Sequence, residues 1–289
     1  SIARAEDGSF WVPGVSPKPQ SRSERYPNGY SGLNRPVWVD KILHVAAEGT
    51  LLNEFNVLDL LYTNGLERHI VQKHQPEAGT DGPTTTNITH LNDVEPLPSS
   101  MAEDYPLFDA GDLLISLRNL HLVLVVDPES KIIKWHASEP FIQQHDPDFI
   151  GKGWIGVFDN RDDFLERGRM LGGSRIVALQ PHTDSMRVLF PTPHSEPFYT
   201  DVQGKWQILK NGNMLLTESV AGRVLEVTPD GRTVWEWIHK PYDDLKVVSV
   251  TKANRYGLTV DEVATWPCSS ADPSLSSVNK TADARTSTE

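Results

Sequence analysis

Cysteine is nearly absent from this chain, which has Cys268 as its one cysteine among 289 residues. A single thiol forms neither an internal disulfide nor a thiolate metal cluster, so both of those protein classes are excluded. Long apolar runs are also missing, since no stretch approaches the roughly 18 apolar residues that a membrane helix needs. Apolar residues still make up 38% of the chain, which is enough for the core of one sizeable domain. We therefore predict a protein without a membrane span.

Basic residues are scarce relative to acidic ones. The chain has 27 Lys and Arg against 39 Asp and Glu, which gives a formal net charge of −12. A surface with that charge repels phosphate backbones. We therefore predict that nucleic acid is not a partner.

The two ends of the chain differ from its middle. The sequence opens on Ser1-Ile2-Ala3, with no methionine and no charged-then-apolar leader, and we expect a signal peptide or a longer segment to be missing ahead of it. Residues 269–289 are polar and almost free of large apolar side chains, which is typical of disordered segments. The expected organisation is one domain over residues 1–268, truncated at its N-terminus, and a disordered tail over residues 269–289.

A pattern of three short β-rich runs occurs twice. The runs of one copy are 111–116, 122–127 and 131–135, and those of the other are 212–217, 223–227 and 232–236. The distance from Gly111 to Trp135 is 24 residues, and that from Gly212 to Trp235 is 23. Repeats of roughly 40–50 residues with this content are typical of β-propeller blades. A generic β-sandwich is the alternative, but the matched glycine, turn and tryptophan positions favour the propeller.

Weaker copies flank these two. One begins at Gly153 and continues in residues 174–179, and another begins at Gly8 and continues in residues 40–45. The predicted fold is therefore an all-β propeller of antiparallel four-stranded blades, about four of them visible, with long inter-blade loops. We expect one short helix within residues 57–72, where apolar residues follow a near-helical spacing. Residues 247–250 are expected to form a late strand that pairs with the first blade and closes the ring.

Polar residues cluster where the predicted blades begin. His90, His145 and either His194 or Gln203 precede or open successive blades at roughly equivalent positions. In a propeller the innermost strand of each blade faces the central channel. We therefore expect these side chains to converge on one site although they are about 50 residues apart in sequence.

Five short motifs resemble the arylsulfotransferase family. They are Gly-Asp-Leu-Leu-Ile-Ser-Leu-Arg at 111–118, Gln-His-Asp at 144–146, Phe-Asp-Asn at 158–160, Ser-Arg at 174–175 and Asn-Gly-Asn at 211–213. The resemblance extends from about residue 87 to 256. It implies a PQQ-enzyme-like propeller, usually of about six blades. It also implies transfer of sulfate from one phenol to another through a sulfohistidine, without a cofactor or a nucleotide sulfate donor, in a periplasmic or secreted protein.

The resemblance also implies roles for individual residues. Neutral imidazole is a competent nucleophile near pH 7, and a second imidazole can protonate a leaving phenolate. The transferring sulfuryl oxygens need fixed hydrogen-bond donors. The catalytic candidates are His145, His90 and His194, and the substrate-binding candidates are Arg175, Asn160 and Asn92. The implied partners are an aryl sulfate donor and a phenolic acceptor, and the oligomeric state is left open.

Other interpretations stay open. A non-catalytic propeller would present its rim loops to a protein or ligand. A quinone-cofactor dehydrogenase is disfavoured, because the sequence has neither a repeated tryptophan-docking motif nor an acidic calcium cluster. His90, His145 and Asp146 have the residue types of a zinc or iron site, but their spacing alone does not favour one.

Overall fold

The computed structural model describes residues 1–33, 35–73, 87–165, 168–241, 243 and 246–266. Ser1–Asn254 form one compact unit, and Arg255–Glu289 form a second unit, described as far as residue 266. The second unit contains helix α3 (Val260–Ala264), which Thr259 and Glu262 begin with a reciprocal capping box. The predicted tail, residues 269–289, lies outside the described residues. No helix in the described ranges has the length and apolar character needed to cross a membrane.

Sixteen strands in the first unit form four antiparallel sheets of four strands each, in simple sequence order. Blade 1 contains β1 (Ala3–Arg4), β2 (Phe10–Val15), β3 (Asp40–Val45) and β4 (Leu51–Asn56). Blade 2 contains β5 (Leu91–Pro96), β6 (Leu113–Leu117), β7 (Leu122–Val126) and β8 (Ile133–Ala137). Blade 3 contains β9 (His145–Phe149), β10 (Ile155–Asp159), β11 (Arg175–Gln180) and β12 (Ser185–Phe190). Blade 4 contains β13 (Lys205–Ile208), β14 (Met214–Glu218), β15 (Arg223–Val227) and β16 (Thr233–Ile238).

Central strands of blades 2, 3 and 4 are buried on both faces. Every residue of β6, β7, β10 and β14 is buried, which explains why these strands are continuous apolar runs rather than alternating ones. Separate hydrophobic clusters fill the spaces between blades 1 and 2, between blades 2 and 3, and between blades 3 and 4. The blades therefore pack face to face, as the repeat predicts.

The first strands of the blades lie next to each other. Strand β5 contacts β2 of blade 1 and β9 of blade 3, and β9 in turn contacts β13 of blade 4. We call β5, β9 and β13 the inner strands. The strands that follow Gly111, Gly153 and Gly212 therefore belong to three successive blades, and the predicted all-β propeller architecture is confirmed.

Two local predictions differ from the structure. The single helix expected within residues 57–72 is two, α1 (Val57–Thr63) and α2 (Arg68–Lys73). Residues 247–250 form no strand: the N–H of Val250 donates to the carbonyl of Ser219, and the Val250 side chain packs on a small cluster at blade 4. The segment covers one face of blade 4 instead of pairing along an edge. Within the described residues, no strand joins blade 4 to blade 1.

Candidate functional site

The inner strands of blades 2, 3 and 4 begin with the same backbone turn. His90, Gln143 and Gln203 have φ angles of 52°, 57° and 61°, in the left-handed region. We call these three positions the entry turns. The residue two places after the turn is Asn92 in blade 2 and His145 in blade 3. His90 and His145, which were expected at roughly equivalent positions, are therefore offset by two residues. The two histidines still lie at the same end of neighbouring inner strands.

The second strands of blades 2 and 3 also end alike. The backbone N–H groups of Asn119 and Arg161 each donate to the carbonyl just before their blade's entry turn, at 3.2 and 3.0 Å. The preceding residues, Arg118 and Asn160, therefore occupy equivalent positions. Each lies at the end of the channel where the inner strands begin.

His145 has a fixed tautomer. Its Nδ1 lies 2.7 Å from Oδ1 of Asn160, a fully buried residue. The amide nitrogen of Asn160 donates to the carbonyls of Thr200 and Gln203, at 2.9 and 2.8 Å. Because both carbonyls require a donor, the atom that faces the imidazole is the amide oxygen, and Nδ1 must carry the proton. Nε2 of His145 therefore keeps its lone pair.

Both histidines are neutral at pH 7. Burial is the main cause of a pKa of about 4 for His145; the hydrogen bond to Asn160 raises the pKa, and the nearby Arg118 and His90 lower it. Burial and Arg118 also lower the pKa of His90, while Asp40 raises it. A neutral imidazole with a free nitrogen is a nucleophile or a base rather than an acid.

Arg118 is the site residue that sequence reasoning missed. Its charge lowers the pKa of both His90 and His145, and its backbone N–H donates to the carbonyl of His90 at 3.0 Å. Its Nε is buried and has no hydrogen-bond partner among the described residues. The sequence could have indicated Arg118, because it is the last residue of the Gly-Asp-Leu-Leu-Ile-Ser-Leu-Arg motif. It occupies in blade 2 the position that Asn160 occupies in blade 3. A guanidinium with an uncommitted donor beside two neutral imidazoles is suited to bind an oxyanion.

Asn92 lies on the same end of β5. Its amide nitrogen donates to the carbonyl of Gln144 at 2.9 Å, and its Oδ1 is buried without a partner among the described residues. Oε1 of Gln143 and Oε1 of Gln144 share that property. Buried polar atoms without protein partners are rare, and these three lie at the start of two neighbouring inner strands.

Arg175 and His194 are held elsewhere. Nε of Arg175 donates to Asp159 at 2.8 Å and its NH2 donates to the carbonyl of Pro140 at 3.0 Å, so the guanidinium ties β10 to β11. His194 is exposed in a turn whose Thr192 hydroxyl donates to the carbonyl of Asp230, in the β15–β16 turn. No contact of His194 with His145, His90 or Arg118 occurs within the described ranges. These two residues do not join the cluster that the sequence expectation placed them in.

Blade 1 fixes the loop that carries His90. The carboxylate of Asp40, buried in β3, accepts from Asn87 Nδ2 at 2.6 Å, from the Thr89 hydroxyl at 2.5 Å and from the Leu91 N–H at 2.7 Å. Oδ1 of Asn87 in turn accepts from the His90 N–H at 2.7 Å. The backbone of His90 is therefore held by a side chain of the neighbouring blade.

Carboxylates line the inner strands behind the histidines. Asp93 and Glu95 on β5 match Asp146 and Asp148 on β9, and Lys205 on β13 lies 2.8 Å from Asp146 and 3.6 Å from Asp148. Burial raises the pKa of Glu95 to about 7, and burial and the charge of Glu95 raise the pKa of Asp148 well above its ordinary value. No group of three or more His, Cys, Asp or Glu side chains in the described residues is arranged to hold a metal ion.

A profile of the arylsulfotransferase (ASST) family matches residues 1–240. The chain belongs to the arylsulfotransferase family. Curated proteins give no match to this member of the family.

Solved structures resemble this arylsulfotransferase-family chain only distantly. A protein of unknown function from Bacteroides caccae is 13% identical with a TM-score of 0.44, over 82% of this chain and 66% of that one. Virginiamycin B lyase from Staphylococcus aureus is 11% identical with a TM-score of 0.41, over 83% and 55%. The WD40 repeats of RRP9 are 11% identical with a TM-score of 0.42, over 85% and 52%. The chain spans between about half and two thirds of the length of these structures, and none of them bears on its activity.

Proposed function

We propose that this chain transfers a sulfuryl group from an aryl sulfate ester to a phenol through a covalent intermediate on His145. The observation that supports this most is the pair formed by His145 and Asn160. The pair leaves a neutral imidazole with the lone pair of Nε2 available, near Arg118, whose Nε has no hydrogen-bond partner among the described residues.

In the first half-reaction, Nε2 of His145 attacks the sulfur of the ester. A nitrogen–sulfur bond forms while the bond from sulfur to the aryl oxygen breaks, and the phenolate leaves with the electron pair. The imidazole then carries the sulfonate and a positive charge. The hydrogen bond from Nδ1 to Asn160 Oδ1 stabilises that cation without moving a proton.

In the second half-reaction, His90 acts as the base. Its lowered pKa keeps the ring neutral, so it can accept the proton of the acceptor phenol while the phenol oxygen attacks sulfur. The nitrogen–sulfur bond breaks and His145 recovers its lone pair. His90, now protonated, gives that proton to the phenolate released in the next turnover.

Arg118 binds the sulfuryl oxygens in both half-reactions. Negative charge builds on these oxygens and on the aryl oxygen, and a preorganised guanidinium stabilises such charge strongly in a half-buried site. Asn92 orients the ester beside it. Asn160 has no amide hydrogen left for substrate, so we assign it to positioning His145. We assign Arg175 to joining two strands.

The substrates follow from the family. We propose an aryl sulfate as donor and a phenol as acceptor, with neither a nucleotide donor nor a cofactor, in a periplasmic or secreted setting. The intermediate stores the sulfuryl group between the two substrates, so the kinetics are expected to be ping-pong.

The decisive experiment combines turnover with detection of the intermediate. With 4-nitrophenyl sulfate and a phenol, we expect release of nitrophenolate, sulfation of the phenol, and a peptide containing His145 heavier by one sulfuryl group. His145→Ala should reduce transfer by orders of magnitude, because it removes the imidazole that attacks sulfur. His239→Ala, at the end of blade 4, is the matched control and should transfer like the parent. A His145→Ala protein as active as the parent contradicts the mechanism, and a parent inactive with several donors favours a binding module.

A further inference from the structure

A large cleft lies at the rim of blade 1. Its volume is about 1250 Å³. Its walls are the loop that connects β2 to β3, the start of β3, the end of β4 and helix α1, and the turn between β7 and β8 contributes Lys131. The residues assigned to sulfuryl transfer do not line this cleft, so its chemistry is separate from theirs.

The loop between β2 and β3 is fixed at several points. The backbone N–H of Gln20 donates to the carbonyl of Val37 at 2.7 Å, and the N–H of Val37 donates back to Gln20 at 2.8 Å. On α1, Oδ1 of Asp59 accepts from the Ser23 hydroxyl at 2.6 Å and from the Tyr30 hydroxyl at 2.8 Å. The loop is therefore tied both to its own base and to the helix, and the cleft is preformed.

The lining of the cleft is positive although the chain is acidic. Five cationic and three anionic side chains line it, in a chain with a formal net charge of −12. The cationic residues are Lys18, Arg22, Arg25, Lys41 and Lys131, and the anionic residues are Glu24, Glu54 and Asp59. Cations gathered on a concave surface raise the local concentration of anions.

Three of these cations are available to a ligand. Lys18, Arg22 and Arg25 are exposed, and no ion pair or side-chain hydrogen bond of theirs occurs within the described residues. By contrast, Lys41 is paired with Glu54 at 2.7 Å. Guanidinium groups bind sulfate and phosphate oxygens through two parallel hydrogen bonds.

A fourth cation reaches the cleft from blade 2. Nζ of Lys131 lies 3.9 Å from the centre of the Phe55 ring and donates to the carbonyl of Pro128. Burial lowers the pKa of Lys131, while Asp127 and Glu129 raise it. Because an ammonium has three donors, Lys131 keeps donors for an anion in the cleft.

We propose that this cleft binds a compact polyol that carries several sulfate or phosphate ester groups. Because the four cations lie on two blades, several anionic groups on one molecule are needed to contact them all. The side chains of Gln20 and Ser21 also line the cleft and can form hydrogen bonds with polyol hydroxyls.

The size of the cleft and the charge around it favour a small ligand. Sites for drug-sized molecules have volumes of roughly 300–1,000 Å³, so the cleft holds a molecule of one or two sugar rings with its ester groups. An extended polyanion would also meet the rest of the surface, whose negative charge repels it. The proposal does not depend on the proposed function.

The test is isothermal titration calorimetry with sucrose octasulfate and inositol hexakisphosphate. We expect the parent to bind both probes, and more weakly at high salt. The double variant Arg22→Glu, Arg25→Glu should bind at least about tenfold more weakly, because two attractive contacts become repulsive. The double variant Lys210→Glu, Lys240→Glu makes the same charge change at exposed positions outside the cleft. It is the matched control and should bind like the parent.

A second control separates the cleft from the proposed sulfuryl site. Arg118→Gln should bind both probes like the parent, and loss of binding in this variant overturns the proposal. Because the experiment measures binding, a parent that transfers no sulfate contradicts the proposed function and leaves this test unchanged. A preference for one probe identifies the ester, and equal binding of both still supports the shared chemistry.

Several results overturn the proposal. They are absence of binding of both probes, binding by the Arg22→Glu, Arg25→Glu variant like the parent, and equal weakening in both double variants. Inorganic sulfate or uncharged inositol that binds as tightly as the probes also overturns it, and tighter binding of hexaglutamate assigns the cleft to an acidic peptide instead. The substituted positions of both double variants are exposed, and thermal unfolding checks that all variants fold.

Discussion

The tautomer of His145 is set by an uncharged hydrogen-bond partner, Asn160. Asn160 accepts from Nδ1 without adding a charge, and its own orientation is set by two backbone carbonyls. A carboxylate at the same place would hold the same tautomer but would also favour the imidazolium. The asparagine therefore fixes the reactive nitrogen while burial keeps the pKa of His145 at about 4.

Asn160→Asp should raise the pKa of His145, because an anion beside the ring stabilises its protonated form. In the proposed mechanism the nucleophile is the neutral ring, so the acid limb of the first half-reaction should move from near pH 4 in the parent towards about pH 6–7 in the variant. The measurement is the pH dependence of the burst of nitrophenolate from 4-nitrophenyl sulfate. Asn28→Asp, exposed in the loop between β2 and β3, is the control. If the acid limb of Asn160→Asp lies at the same pH as that of the parent, residue 160 does not determine the protonation state of His145.

Single residues show where sequence reasoning reached its limit. Arg175 was a substrate-binding candidate because of the Ser-Arg motif, yet β10 and β11 place it directly opposite Asp159. Opposite charges at such positions pair across the strands. Arg118 looked like the end of a strand motif, and only the packing of blade 2 beside blade 3 brings it to the histidines. Both outcomes depend on register, which composition and spacing do not reveal.

At the scale of elements, the loop that carries His90 depends on blade 1. Asp40 lies on β3, and its carboxylate accepts from three donors on residues 87–91. An amide in its place would offer one acceptor oxygen and two unwanted donors. The position of His90 is therefore a property of two blades together.

Asp40→Asn should lower the free energy of unfolding by about 1–3 kcal/mol, because buried donors lose their acceptor. It should also slow the second half-reaction, since the loop beneath His90 loses its support. Urea unfolding and the rate of sulfate transfer to a phenol from the isolated intermediate would measure the two effects. Glu48→Gln, exposed in the same blade, should change neither quantity. Unfolding of Asp40→Asn at the parent's urea midpoint would contradict this account.

The elements themselves were partly predictable. The Gly-to-Trp repeat predicted blades 2 and 4 because buried central strands leave a continuous apolar signal. The break between α1 and α2 was hidden, since Leu66 continues the apolar spacing across the turn and is itself buried. The segment 247–250 has the composition of a strand, but it packs side chains on blade 4 instead of pairing with another strand. Tertiary contacts, which the sequence pattern does not show, determine this outcome.

For the whole molecule, the channel concentrates negative charge. Asp93, Glu95, Asp146 and Asp148 face Lys205, and Glu95 and Asp148 share a hydrogen bond. Both pKa values are raised, so the folded state binds protons more tightly than the unfolded chain. Such groups contribute stability at low pH that is lost as the pH rises through the folded pKa.

Glu95→Gln should therefore stabilise the protein at pH 8 and flatten its pH dependence. For Glu95 the loss in the parent lies between about pH 4.5 and 7, from its ordinary to its raised pKa, and should amount to about 1–3 kcal/mol. Urea unfolding at pH 5 and pH 8 tests this, with the exposed Glu103→Gln as control. If Glu95→Gln loses as much stability as the parent between those two pH values, the channel carboxylates do not carry the effect.

The entry turns have a consequence for how a propeller of this kind can evolve. Blades 2, 3 and 4 each begin their inner strand with the same backbone conformation, so the side chains there are free to differ, as His90, Gln143 and Gln203 do. When such a blade is duplicated, the copy inherits the same position at the start of its inner strand. A single codon change at that position then adds or removes a reactive group without rebuilding the scaffold. A new reactive group in this architecture can therefore arise by duplication of a blade followed by one amino-acid substitution.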